Sequence, residues 1–74
     1  MPVVTIQVPA GALDAGKKST MIRKVTDAVV EAEGIPEVRK GTLALIEEVP
    51  DGGWGIGGRA FTLDAMKAAL APKG

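Results

Sequence analysis

The 74 residues contain no cysteine, no histidine and no tyrosine, and the only aromatics are Trp54 and Phe61. Without cysteine there is no disulfide framework, and without cysteine or histidine the common zinc ligand sets are missing. Serine–histidine and cysteine–histidine nucleophile arrangements are excluded for the same reason. Two aromatics are too few for a base-stacking platform. The nine basic and nine acidic residues cancel and form no basic stripe, so the electrostatic footprint of a nucleic-acid binder is lacking. No apolar run is long enough to span a bilayer, and no basic segment followed by an apolar stretch opens the chain as a signal peptide would. These absences predict a cytoplasmic protein with no membrane or nucleic-acid partner, no metal and no organic cofactor.

What is present is apolar. Residues of the hydrophobic class make up 46% of a chain that is long enough for one small domain, residues 1–74. Domains of this size bury a limited fraction of their surface and usually need a staple. With disulfides and metal sites excluded, association with further chains is the staple that remains.

Pro2–Val8 alternates. Val4, Ile6 and Val8 point one way and Val3, Thr5 and Gln7 the other, which predicts a strand broken at Pro9-Ala10-Gly11. Asp14 can cap a helix running to about Glu33. Its apolar stripe is Ile22, Val25, Val29 and Ala32, widened by Met21 and Ala28, and Gly34-Ile35-Pro36 ends it. Thr42–Val49 predicts a second strand, apolar on both faces at its start and so expected to be buried on both sides. Strand, long helix, strand is a βαβ unit with parallel strands. Pro50-Asp51-Gly52-Gly53 predicts a turn and Trp54–Arg59 a hairpin or hooked loop. Thr62 can cap a short helix from Leu63 to about Leu70, with Leu63, Met66 and Leu70 on one face. Ala71–Gly74 reads as a frayed tail. The expected class is α+β. Two strands under one helix leave an unpaired edge and an open apolar face, so the sheet should be completed by a second copy.

The chemical inventory is short. Glu47 and Glu48 are adjacent on a strand, face opposite ways and cannot form a carboxylate pair. Gly55-Ile56-Gly57-Gly58 lacks the lysine–serine ending and the position of a phosphate loop. Pro2 follows the initiator Met, which is normally removed before a small residue. The mature chain would then begin with a secondary amine, and α-amino groups titrate at about 7.7–8.0. Burial and nearby cations lower an amine's pKa and would leave a neutral base near neutral pH. Taken alone, Pro2 reads as a rigid first residue of a strand.

Met-Pro-Val-Val-Thr-Ile-Gln-Val, then Ile22-Arg23-Lys24-Val25-Thr26 in an amphipathic helix, then Trp54-Gly55-Ile56-Gly57-Gly58 occur in that order. This set resembles the 4-oxalocrotonate tautomerase family from Pro2 to about Gly58. The resemblance implies a short β-α-β subunit with a catalytic proline, which moves a proton between an enol oxygen and a carbon. It implies that Trp54 stands where the family has an aromatic wall, usually Phe. As a strand-and-loop residue, Trp54 also reads as interface core. The family archetype holds a dicarboxylate with two arginines, and this chain has Ala12 and Leu43 at those positions. Arg39, Lys40 and Arg59 are the nearby cations that could substitute, although each alone reads as a solvated surface charge. The dehalogenase branch carries a carboxylate where this chain has Ile56, which speaks against hydrolytic dehalogenation.

The expectation is therefore a tautomerase or isomerase of small 2-oxo or enol acids, with Pro2 as general acid/base, Trp54 lining the pocket and Arg39 or Arg59 holding a carboxylate. The alternatives are a proline-dependent hydratase or decarboxylase of a small acid, or a non-catalytic subunit of a hetero-oligomer. The resemblance favours a homohexamer built as a trimer of dimers, with a dimer as the alternative. The mechanism requires that Met1 be removed.

Overall fold

The computed structural model describes residues Pro2–Ala71. Its elements are β1 (Val3–Pro9), α1 (Ala15–Glu33), a 3-10 turn (Pro36–Gly41), β2 (Leu43–Val49), β3 (Gly55–Ile56), β4 (Arg59–Ala60) and α2 (Leu63–Leu70). β1 and β2 pair in parallel, from Val3 opposite Leu43 to Pro9 opposite Val49. This is the βαβ unit that the hydrophobic periodicity predicts. The tail beyond Ala71 and the fate of Met1 lie outside the described residues.

Local chemistry sets the boundaries. The Asp14 carboxylate accepts the Lys17 backbone N–H at 2.8 Å, satisfying one of the donors that every helix start leaves free. Gly34 closes α1 in the left-handed region at φ 71°, donating its N–H to Val30, a conformation that costs glycine no steric clash. The 3-10 turn between Pro36 and Gly41 was not legible in the periodicity, since six residues are too few to show a face. It is fixed by Pro36 at its start and by the Thr42 hydroxyl, which donates to the Val38 carbonyl at 2.7 Å.

Val4, Ile6 and Val8 alternate inward on β1 as expected, and Ala44 and Ile46 do so on β2. α1 packs chiefly over β2. The expectation that β2 is buried on both sides is not met within one chain. Leu43 and Leu45 are 50% and 41% exposed on the face away from α1, beside Val3 at 59%. That face is graded. It is apolar next to Pro2 and turns polar at the far end, where the Gln7 side-chain amide donates to Glu47 at 3.2 Å.

The remaining third of the chain leaves the sheet as an arm. Pro50–Gly53 turns, with the Gly53 N–H on the Pro50 carbonyl at 2.9 Å. β3 and β4 form a two-residue hairpin closed by Gly57 and Gly58, both at positive φ (61° and 84°), as a type I′ turn requires. Thr62 caps α2 by accepting the Ala65 N–H at 3.1 Å. The arm makes no extensive contact with β1, β2 or α1. The radius of gyration is 15.4 Å, whereas a compact chain of this length would have about 11 Å. Among the described residues no side chain is fully buried. Burial of apolar surface is what drives folding, so the isolated chain lacks a closed core.

Candidate functional site

Pro2 is half-buried at the head of β1. Its carbonyl accepts the Leu43 N–H at 3.0 Å, which sets it level with the start of β2. The turn before β2 therefore reaches the same end of the sheet and brings Arg39 and Lys40 with it. Arg39 is not free. Its guanidinium meets the Asp27 carboxylate of α1 at 2.6 Å in an exposed ion pair, which links the 3-10 turn to the helix. Lys40 is exposed.

Trp54 lies elsewhere. It follows the C-terminal end of β2, and the arm that carries it is moored there. The Leu63 side chain rests against Gly11, and Leu63 is held within the arm by donating its N–H to the Asp51 carboxylate at 2.7 Å. With two parallel strands of seven residues, the two ends of the sheet are about 20 Å apart at 3.3 Å per residue. One chain thus presents Pro2 with Arg39 and Lys40 at one end, and Trp54 with Arg59 at the other.

The hairpin register arranges the second group. Gly55 pairs with Ala60 and Ile56 with Arg59, and the Phe61 N–H donates to the Trp54 carbonyl at 2.9 Å, which continues the register to Trp54 opposite Phe61. Side chains alternate along a strand, so Trp54, Ile56, Arg59 and Phe61 share one face. The rings of Trp54 and Phe61 lie 5.6 Å apart at 53°, a favourable tilted pair. Gly55 is required at the centre of this register, because a Cβ there would collide with the carbonyl oxygen of Arg59. The Trp54 indole N–H is covered and has no acceptor among the described residues, and leaving such a donor unpaired costs about 1–3 kcal/mol. Sequence reading singled out Trp54 and Arg59 but missed their common face with Ile56 and Phe61. The signal was available: a Gly-Gly pair closing a two-residue hairpin fixes the register of its flanks.

The loop between β1 and α1 holds Ala12, where the family resemblance places an arginine. Glu48, on the helix side of β2, accepts the Gly11 backbone N–H at 3.3 Å and the Lys18 ammonium at 3.3 Å. These two donors, the Gly11 N–H first, hold its carboxyl below the usual carboxylate range. Glu47, on the opposite face, takes no part, as strand alternation requires. Leu43, the other arginine position of the family, sits on the open sheet face.

Two further features bear on chemistry. A shallow groove of about 710 Å³ runs along the first turns of α1, between Leu13, Lys17, Met21 and Lys24. It includes neither Pro2 nor Trp54, so the size of this concavity does not mark the site. Among the described residues no group of three or more acidic side chains is placed to hold a metal ion, and no helix is long and apolar enough to cross a membrane.

No curated protein matches the sequence. The family model for tautomerase enzymes matches residues 2–63, which span Pro2, the βαβ unit, the hairpin with Trp54 and the first residue of α2. The match takes in the parallel β1–β2 pair, the long helix that joins them and the hairpin beyond β2, and the chain belongs to the tautomerase enzymes.

Proposed function

We propose that this chain is a 4-oxalocrotonate tautomerase-like isomerase that interconverts the enol and keto forms of small 2-oxo acids, with the amine of Pro2 as general acid/base. Removal of Met1 turns the Pro2 nitrogen from a tertiary amide into a secondary amine with a basic lone pair. In the neutral form it takes the enol hydroxyl proton. The oxygen electron pair forms the carbonyl, the carbon–carbon π pair accepts a proton from the prolinium, and the amine is neutral again. Nothing is consumed, and an amine titrating near neutrality is suited to both halves of the cycle.

The observation that carries this reading is the family match beginning at Pro2, together with the half-buried setting of that residue beside the apolar end of the open sheet face. Covering Val3, Leu43 and Leu45 would remove water from around the amine, and desolvation disfavours its protonated form. The cover we propose is further copies of this chain, assembled as a homohexamer. Within one chain, Trp54 lies at the far end of the sheet, so the aromatic wall over Pro2 is supplied by a neighbouring copy.

Ketonisation of phenylenolpyruvate, followed by ultraviolet absorbance, tests both points with Met-free protein. Pro2→Ala should lower turnover by about 100-fold or more, the range of a lost general base, with the circular dichroism spectrum unchanged. Trp54→Ala should also be impaired. Co-refolding the two variants at equal ratio should recover about a quarter of wild-type activity, the fraction expected for random pairing of sites shared between subunits. Equal rates for wild type and Pro2→Ala would overturn the amine mechanism. No recovery on mixing would overturn a site shared between copies.

A further inference from the structure

Resting on the Pro2 reading, we infer that Arg59 is the specificity-determining cation of this enzyme, and that it selects acids with one carboxylate and an apolar, preferably aromatic, substituent. Of the two guanidinium candidates, Arg39 is paired with Asp27 at 2.6 Å across an exposed surface, so a substrate carboxylate would have to compete with Asp27 for it. Arg59 is exposed and has no ion-pair partner among the described residues. Its position decides the rest. The hairpin register puts Arg59 opposite Ile56, on the face that also carries the tilted pair of Trp54 and Phe61.

That face is an apolar wall ending in a single guanidinium, whose planar fork matches one carboxylate in two-point geometry. An aryl or alkyl group on the same acid would lie along Trp54, Phe61 and Ile56 and lose water there. A second carboxylate would be laid against the same apolar side chains without a partner, and desolvating an unpaired charge is heavily penalised. The two family arginine positions are Ala12 and Leu43, so beside Pro2 the exposed Lys40 is left to meet a second carboxylate, as a point charge without the two-point fork of a guanidinium. The wall and its cation are both carried by the arm, so whatever copy supplies Trp54 to Pro2 supplies Arg59 with it.

The test uses a binding signal independent of turnover. Trp54 is the sole tryptophan, so its fluorescence reports on this wall. Met-free protein is titrated with 3-phenylpropanoate and with adipate, an aryl monoacid and a dicarboxylate. The monoacid should bind at least about tenfold tighter. Arg59→Gln should weaken it roughly 10- to 100-fold, the worth of a charged two-point contact, and Arg59→Lys should recover part of that. In turnover of phenylenolpyruvate, the Gln variant should show the loss mainly in KM. Pro2→Ala should leave the fluorescence titration intact. Tighter binding of adipate, no quenching by the monoacid, an unchanged constant in Arg59→Gln, or the loss appearing in Lys40→Gln instead would each overturn the inference. If 3-phenylpropanoate binds through Arg59 but turnover is independent of Pro2, the catalytic reading fails and the binding assignment stands.

Discussion

Pro2 and Glu48 show how single residues act through what they hold. Pro2 gives its carbonyl to Leu43, and the Pro2→Ala chain keeps that carbonyl, so the loss of activity is separable from a loss of fold. Glu48 pins the loop after β1 by accepting from Gly11 and Lys18, and both donors favour its ionised form. The direction of the shift sets the pH dependence. A carboxyl that holds protons less tightly in the folded chain than in the unfolded one stabilises the fold above the ordinary carboxylate range, and this stabilisation fades as pH falls through that range. Glu48→Gln should therefore lower the melting temperature near pH 7. The deficit should shrink as the solution is acidified and vanish once wild-type Glu48 is itself protonated. It should also shrink in high salt, because Glu48 is solvent-exposed and its ion pair is screened. A deficit independent of pH would assign the effect to packing.

Among the elements, the hairpin is the most sharply constrained. Gly57 and Gly58 turn it with positive φ, and Gly55 passes so close to the Arg59 backbone that any side chain must force the strands apart. The βαβ unit does not depend on this contact, since β1 pairs with β2 and α1 packs over that pair. Gly55→Ala should therefore leave helix content nearly unchanged by circular dichroism while shifting the emission of Trp54. Because the shared face of Trp54 and Arg59 is lost, it should reduce turnover more than Arg59→Gln alone. Normal turnover with a shifted emission would mean that the arm does not serve the site.

The whole molecule is governed by what one copy leaves uncovered. No described residue is fully buried, and Val3, Leu43, Leu45, Ile56 and Leu70 are among the exposed apolar side chains. Burying a fully exposed side chain of this kind contributes about 1.5–3 kcal/mol, and the part still exposed on each of these is together a large increment against the few kcal/mol of a domain this small. Stability should then be coupled to association, with a melting temperature that rises with protein concentration. Leu45→Glu, at the centre of the open sheet face, should shift sedimentation toward monomer and lower the melting temperature together. A stable Leu45→Glu monomer with native circular dichroism would show that the face needs no cover.

How much of this was legible beforehand follows from the range of each interaction. The sequence determined β1, α1, β2 and α2 to within a residue or two, because alternation, 3.6-residue spacing, Asp14 and Thr62 as caps and Gly34 as a stop are local signals read along a continuous stretch. It also brought out Pro2 and Trp54 through an ordered pattern of short motifs. Only the tertiary structure decided what those residues face. The parallel register sent Pro2 and Trp54 to opposite ends of the sheet, Asp27 of α1 paired with Arg39, and the hairpin register set Arg59 on the face of Trp54 and Phe61. These are pairings between residues that are distant in sequence or that depend on the register of a turn, and such partnerships leave no periodicity in the chain for a reader to find.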